Sequence, residues 1–167
     1  LTMLLFEPPP VKFCRPPKRY LLSESPVAPT HCTPNSEALL EVARSNLPDE
    51  RWVLSTMQAF EPDQPCHGAL LWDSLFHVLR AEHAPILRKV VNALPAGARL
   101  MLTVGGSAHP AFTDTMFGQT FSYDSNTPDE SEQILIGLGC VIVIGEFMNR
   151  PDGGRDKGRY AIVAEKR

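Results

Sequence analysis

Glycine is missing from the first 34 residues, and this is the most informative absence in the chain. A segment without glycine cannot form a Gly-rich loop, in which the backbone presses close against a phosphate or nucleotide. Cysteine is scarce too. Cys14, Cys32, Cys66 and Cys140 lack disulfide-like spacing, so reduced thiols are expected. There is no excess of one charge: a net charge of −3 leaves no footprint for nucleic acid or an anionic membrane. No apolar run reaches the length that crosses a bilayer. Residues 1–6 are apolar but too short for a signal-peptide core, and Glu7 and three prolines follow. These absences lead to the expectation of a cytoplasmic protein. P-loop, nucleophile-elbow and metalloprotease motifs are lacking. The pairs His31-Cys32 and Cys66-His67 are adjacent, whereas zinc ligands usually stand two to four residues apart. No metal site is expected.

What is present is ordinary in amount and uneven in place. The chain has 167 residues with 43% apolar, enough for one domain with a core. Half of its 16 prolines lie in residues 1–34, at 8, 9, 10, 16, 17, 26, 29 and 34, beside a basic cluster of Arg15, Lys18 and Arg19. Each proline removes a backbone donor and biases its predecessor away from helix. Residues 1–34 are therefore expected to be irregular or disordered, and 35–167 to hold the domain. The change at residue 35 is abrupt. It fits a first segment translated from a shifted frame or an unspliced intron, which retranslation in the other two frames would test.

From Asn35-Ser36 onward a regular pattern emerges. A helix carrying Leu39, Leu40, Val42 and Ala43 is stopped by Pro48, and Arg51–Leu54 reads as a short strand. Gly68–Trp72 is apolar throughout, as in a strand buried on both faces. Ile86, Leu87, Val90, Val91 and Leu94 form the stripe of a helix from Ala81 to Leu94, with Pro85 admissible only in its first turn. Arg99–Val104 is a strand leading into Gly105-Gly106, and Ala108–Asn126 a long connection. Thr127-Pro128-Asp129-Glu130 is a capping box. It opens a helix with Ile134, Leu135 and Leu138 inward, closed by Gly139. Val141–Ile144 and Arg159–Ala164 are strands of a terminal hairpin around the polar loop Asn149–Gly158. The alternation predicts an α/β fold, a mostly parallel sheet with an antiparallel hairpin at one edge.

The stretch that concentrates chemistry is Ala69–Val78. An apolar strand ends at Trp72, and Asp73, Ser74 and His77 follow. Open α/β sheets bind ligands at the carboxyl ends of their strands. Asp73 and Ser74 can equally cap the next helix, His77 can be a hydrogen-bonded helix-start residue, and Trp72 can be core.

Three segments resemble class I S-adenosylmethionine-dependent methyltransferases, over roughly the last three-quarters of the chain. Trp72-Asp73-Ser74-Leu75-Phe76-His77 is similar to the segment after that family's fourth strand. Leu94-Pro95-Ala96-Gly97-Ala98-Arg99-Leu100-Met101-Leu102-Thr103 resembles its L-x-P-G-G-x-L-x-x-T entry to the fifth. Met116-Phe117-Gly118, Thr127-Pro128-Asp129-Glu130 and Leu138-Gly139-Cys140-Val141 resemble a later run of the same subgroup. The resemblance implies an incomplete Rossmann-like methyltransferase sheet, with the first strand and glycine loop missing or replaced. It implies S-adenosylmethionine as cofactor and a small molecule as methyl acceptor. His77 becomes the candidate base, with Asp73 orienting it or holding the acceptor. Thr56, Met57, Trp72, Asp73 and Ser74 become candidates for the donor site, and His109, Phe112, Met116 and Phe117 for the acceptor lid. Gly105-Gly106 suits either a close ligand or a turn needing positive φ.

The departures are equally specific. Pro34 stands where the family places its ribose-binding carboxylate, Thr56 where an Asp commonly meets the adenine amine, and His67 near another acidic position. Losing the ribose carboxylate alone costs about 1.5–3 kcal/mol of binding. The alternative expectation is a non-catalytic remnant or binding module. A sheet without its first strand also leaves an open edge, from which self-association is expected.

Overall fold

The computed structural model describes residues 2–6, 41–42, 44–46, 48, 52–62, 66–116, 118–154 and 156–167. The basic cluster, Pro34, Cys14, Cys32 and Phe117 lie outside them. Residues 41, 42 and 44–46 are helical, within the helix expected after Asn35-Ser36, although Val42 is exposed.

Strand β1 is Thr2–Phe6, β2 Gly68–Trp72, β3 Arg99–Gly105, β4 Phe112–Met116, β5 Gln119–Tyr123, β6 Cys140–Asn149 and β7 Arg159–Lys166. Helix α1 is Arg80–Ala93, and α2 is Pro128–Gly137. Five strands form one sheet in the order β1-β2-β3-β7-β6, and β4-β5 form a separate hairpin. The β2/β3 ladder is parallel and the other three are antiparallel. Thus β2, β3 and β6 run one way, and β1 and β7 run against them. The terminal hairpin is present as expected, with β7 placed between β3 and β6.

The core lies on one face of this sheet. Leu71, Leu100, Leu102, Ile162 and Ala164 point to it, and the α1 stripe of Ile86, Leu87, Val90 and Val91 covers them. Each such side chain contributes about 1.5–3 kcal/mol of transfer free energy. Leu135 of α2 is fully buried in the same cluster. Cys66 and Cys140 are buried thiols, and burial pushes the Cys140 thiol up. The other face is only partly covered. Met101 pairs with Val163, and Val163 with Ile144; Met101 and Ile144 are 39% and 46% exposed. Hence β2 alternates half-buried and buried, correcting the reading of a strand buried on both faces.

Four other expectations change. The strand at Arg51–Leu54 does not form: residues 52–54 are irregular. The ladder beside β2 is held instead by Thr2–Phe6, in the segment expected to be irregular. Pro85 is the sixth residue of α1 and so lies beyond the first turn. It cannot donate to the Ala81 carbonyl, a cost of about 3 kcal/mol or more in a bare helix. Burial of the following stripe offsets this. Within Ala108–Asn126 the β-branched and aromatic residues of Phe112–Met116 and Gln119–Tyr123 pair across Gly118, whose φ is 74°. Finally, the carboxyl end of α1 has no basic residue of its own; Lys166 Nζ reaches the carbonyls of Val91 and Leu94 at 2.8 and 2.6 Å. The capping box of α2 forms as read, with Glu130 N–H donating to Thr127 Oγ1 and Thr127 N–H to Glu130 Oε2.

Candidate functional site

A cavity of about 500 Å³ opens at the carboxyl end of β3. Its floor includes Gly105 and the start of β7, its aromatic wall is Phe76, Phe112 and Tyr123, and its rim is the loop between β6 and β7. The place is the one expected for an α/β ligand site. Tyr123 lies 5.0 Å from Phe112 at 11° and 6.2 Å from Phe76 at 16°, so the three ring planes are nearly parallel. His109 meets Phe112 edge-on at 5.1 Å, and its Nδ1 lies 2.9 Å from the Pro110 carbonyl. His109 and Phe112, candidates for the acceptor lid, both line this cavity. The backbone of Met116 ends β4.

The segment after β2 is built differently from either sequence reading. Asp73 adopts φ 47°, a left-handed conformation that Asp tolerates better than most residues. Its N–H donates to Thr103 Oγ1 at 2.7 Å, Thr103 Oγ1 donates to Asp73 Oδ1 at 3.2 Å, and Arg159 Nη1 donates to Asp73 Oδ2 at 2.6 Å. The carboxylate is therefore taken up by β3 and β7. It neither caps a helix nor holds the imidazole of His77. Ser74 caps nothing with its side chain, and its hydroxyl is buried with no hydrogen-bond partner among the described residues. The cap of α1 comes from 44 residues away: Arg80 N–H donates to Asp124 Oδ2 at 2.8 Å, and Arg80 Nε to Asp124 Oδ1 at 2.5 Å. Arg80 Nη2 also donates to the His109 carbonyl at 2.6 Å, so one side chain ties α1 to the hairpin approach. Burial opposes the charge on Asp124, but the Arg80 N–H and guanidinium hold its carboxyl below the usual carboxylate range.

His77 is half-buried among Phe76, Phe121 and Tyr123, at 4.8, 5.5 and 4.7 Å between ring centroids. Its Nδ1 lies 2.9 Å from the Ser122 carbonyl. A carbonyl only accepts, so Nδ1 carries the proton and Nε2 keeps its lone pair when the ring is neutral. Burial lowers the pKa of the ring, which the Ser122 bond only partly opposes. His77 does not line the cavity, but it touches Phe76 and Tyr123, which do.

Other candidates fall away from the cavity. Met57 is buried in the core, and Thr56 Oγ1 accepts from Ala59 N–H at 3.1 Å in a turn. That turn's carbonyls, from Met57, Gln58 and Phe60, converge on Lys89 Nζ. Trp72 is half-buried on the open face of the sheet. Gly105 and Gly106 do not have positive φ. A Cβ on Gly105 would meet Ser125 Cβ at 2.9 Å, and one on Gly106 would meet the Gly158 backbone at 2.8 Å. Their smallness serves the chain's own packing, with Ser125 Oγ accepting from Gly105 N–H. Sequence reasoning missed Arg80, Asp124, Ser125 and Arg159. Their partners are 20 to 86 residues distant, so no local spacing signals them. Asp152 and Asp156, read only as turn residues, line the cavity. Among the described residues no group of three metal-ligating side chains occurs, and no helix is long and apolar enough to cross a membrane.

No family model matches this sequence, and no curated protein matches it. Solved structures do. The chain is similar to the Burkholderia thailandensis 1,6-didemethyltoxoflavin-N1-methyltransferase, solved with 1,6-didemethyltoxoflavin and S-adenosylhomocysteine bound, at 18% identity and TM-score 0.55 over 77% of this chain and 56% of that one. It is similar to a SAM-dependent methyltransferase of Methanosarcina mazei, at 16% identity and TM-score 0.62 over 80% and 78%. It is also similar to a Listeria monocytogenes protein described as an S-adenosylmethionine-dependent methyltransferase, at 17% identity and TM-score 0.63 over 79% and 77%. The chain spans little more than half the length of the first. These likenesses show the fold: it is the Rossmann-like fold of class I methyltransferases, matched over about four-fifths of the chain.

Proposed function

We propose that this chain is a methyltransferase that takes its methyl group from S-adenosylmethionine and passes it to a small molecule held in the cavity at the end of β3. One observation carries the reading: the aromatic-walled cavity lies at the strand ends of this fold, beside the Trp72–His77 segment. The Ser74 hydroxyl does not fit the donor, because it is wholly enclosed and lies outside the cavity lining. One described residue does. Trp72, half-buried at the end of β2, supplies an apolar wall. Asp73 does not fit as a direct contact, because Thr103 and Arg159 engage it; it fastens the segment instead. Thr56 and Met57, committed to their turn and to the core, fit as contacts no better.

The donor supplies an electrophilic methyl carbon on a sulfonium. The chain's own part is to position the acceptor and exclude water. Phe112 and His109, which line the cavity, hold the acceptor on one side. His77 packs behind Phe76 and Tyr123, outside the cavity lining, and so braces the aromatic wall; an acceptor seated in the cavity sheds its proton to water. The His77 Nδ1–H is fixed on the Ser122 carbonyl, and burial favours the neutral ring.

Calorimetric titration of the folded chain with S-adenosylhomocysteine tests the reading. Saturable heat is expected. No heat at millimolar ligand, from a sample with a cooperative melt, leaves the non-catalytic remnant in its place.

A further inference from the structure

We infer that the acceptor's proton reaches water by way of His109, whose Nε2 takes it from a neutral O–H or N–H group seated in the cavity. The inference rests on the methyltransferase reading and deepens it, naming the class of acceptor and the residue that receives the proton. His109 lines the cavity and is half-buried, so its ring touches both the cavity and solvent. Its Nδ1 lies 2.9 Å from the Pro110 carbonyl, which only accepts. The neutral ring therefore carries its proton on Nδ1 and its lone pair on Nε2. That Nε2 stands beside the cavity floor: a Cβ placed on Gly105 would lie 3.6 Å from it. Ser125, which borders the same spot, does not engage the lone pair. Its one hydroxyl hydrogen goes to the Asn126 carbonyl at 2.9 Å, and its oxygen accepts from Gly105 N–H at 2.9 Å. Among the described residues Nε2 has no hydrogen-bond partner.

The residue is held in this pose from two sides. Arg80 Nη2 donates to the His109 carbonyl at 2.6 Å, and the ring meets Phe112 edge-on at 5.1 Å. A basic atom fixed at the site removes a proton without first having to be brought there. Other groups serve this end less well. His77 stands behind the wall, Asp124 is paired with Arg80, and Lys157 Nζ donates to the Gly154 carbonyl. In the step itself the acceptor oxygen or nitrogen bonds to the methyl carbon. The carbon–sulfur bond breaks, its electron pair stays on sulfur, and the O–H or N–H proton moves to Nε2. The imidazolium then gives that proton to water and regains its lone pair.

Two acceptors that share a ring separate proton removal from mere holding. Near pH 8 phenol keeps its O–H, whereas thiophenol is mostly thiolate and has no proton to lose. Transfer of a labelled methyl group from S-adenosylmethionine to each is measured on the full chain and on His109→Gln. The variant should lower the ratio of phenol to thiophenol transfer about a hundredfold. Weaker holding of the ring would slow both acceptors and leave that ratio where it was. A second readout needs neither donor nor acceptor. Long-range proton–nitrogen NMR of the histidine-labelled chain near pH 8, with His109→Gln to assign the signals, should find the His109 proton on Nδ1. A proton on Nε2, an unchanged ratio, or transfer to neither acceptor would overturn the inference. The two failures differ in the calorimeter. Saturable heat with S-adenosylhomocysteine beside an unchanged ratio sinks the inference alone, whereas no heat sinks the methyltransferase reading and takes the inference with it.

Discussion

Asp124 joins two parts of the chain that have no local reason to meet. Its carboxylate caps α1 at Arg80 N–H and pairs with the Arg80 guanidinium, while Arg80 holds the His109 carbonyl at the cavity. Asp124→Ala removes the cap and leaves a half-exposed guanidinium, so it should cost about 1–3 kcal/mol in urea unfolding. Asp124→Asn, which keeps an acceptor for the N–H, should cost less. Two histidines, the half-buried His77 and the buried His83, set a pH dependence. Burial lowers the pKa of His77 and of His83, whose Nε2 faces the Val78 carbonyl at 3.0 Å. The unfolded chain then binds more protons than the folded one below about pH 6.5. Stability should be full above that pH and fall as acid is added. The Asp124 contribution is lost separately, below about pH 4. Urea midpoints at pH 7.5 and 5.5 measure the first effect; a midpoint that rises toward pH 5.5 refutes it.

At the scale of the element, the two helices start in opposite ways. Helix α2 carries its own capping box, and Thr127→Ala should cost about 1 kcal/mol. Helix α1 begins at a residue without a side-chain cap and holds an exposed proline at its sixth position. Pro85→Ala restores a donor for the Ala81 carbonyl and should stabilise the chain by about 1 kcal/mol or more, read as a higher melting midpoint. An unchanged midpoint would mean that the helix already bends to suit the ring. This contrast shows what was legible. The α2 cap, the α1 stripe and the β6-β7 hairpin are written in neighbouring residues, and they form as read. The cap on α1, the Asp73 clasp and the β1 ladder depend on residues 30 to 86 positions apart, where periodicity carries no information. The same holds for the site. A cavity at a strand end follows from the α/β pattern, and His109 and Phe112, named through the resemblance, line it. The acidic rim was not legible, because its Asp-Gly-Gly run reads first as a turn.

For the whole molecule, the decisive fact is that the core has been placed on one face of the sheet. Parallel ladders are ordinarily covered on both faces. Here Met101, Val141 and Ile144 are 39%, 38% and 46% exposed on strands of the same sheet, and Val143 and Met148 of β6 are 45% and 43% exposed. The open edge expected beside β2 is occupied by β1, so among the described residues β1 and β6 are the edges of the sheet. Strand β6 is ten residues long and bears Glu146 as its one charged residue. Two irregularities, at Ile142/Ile144 and Phe147/Asn149, bend it as edge strands are bent to discourage pairing. Apolar exposure and guarding features therefore compete along β6. Exposure extends across the sheet face, where a bulge gives no protection, and it should prevail. Sedimentation velocity over a wide concentration range should show reversible association of the chain. Ile144→Lys should return it to monomer with its melting midpoint nearly unchanged, because the replaced side chain is already half in water. A wild-type chain that stays monomeric at its highest soluble concentration would show that the bulges and Glu146 suffice.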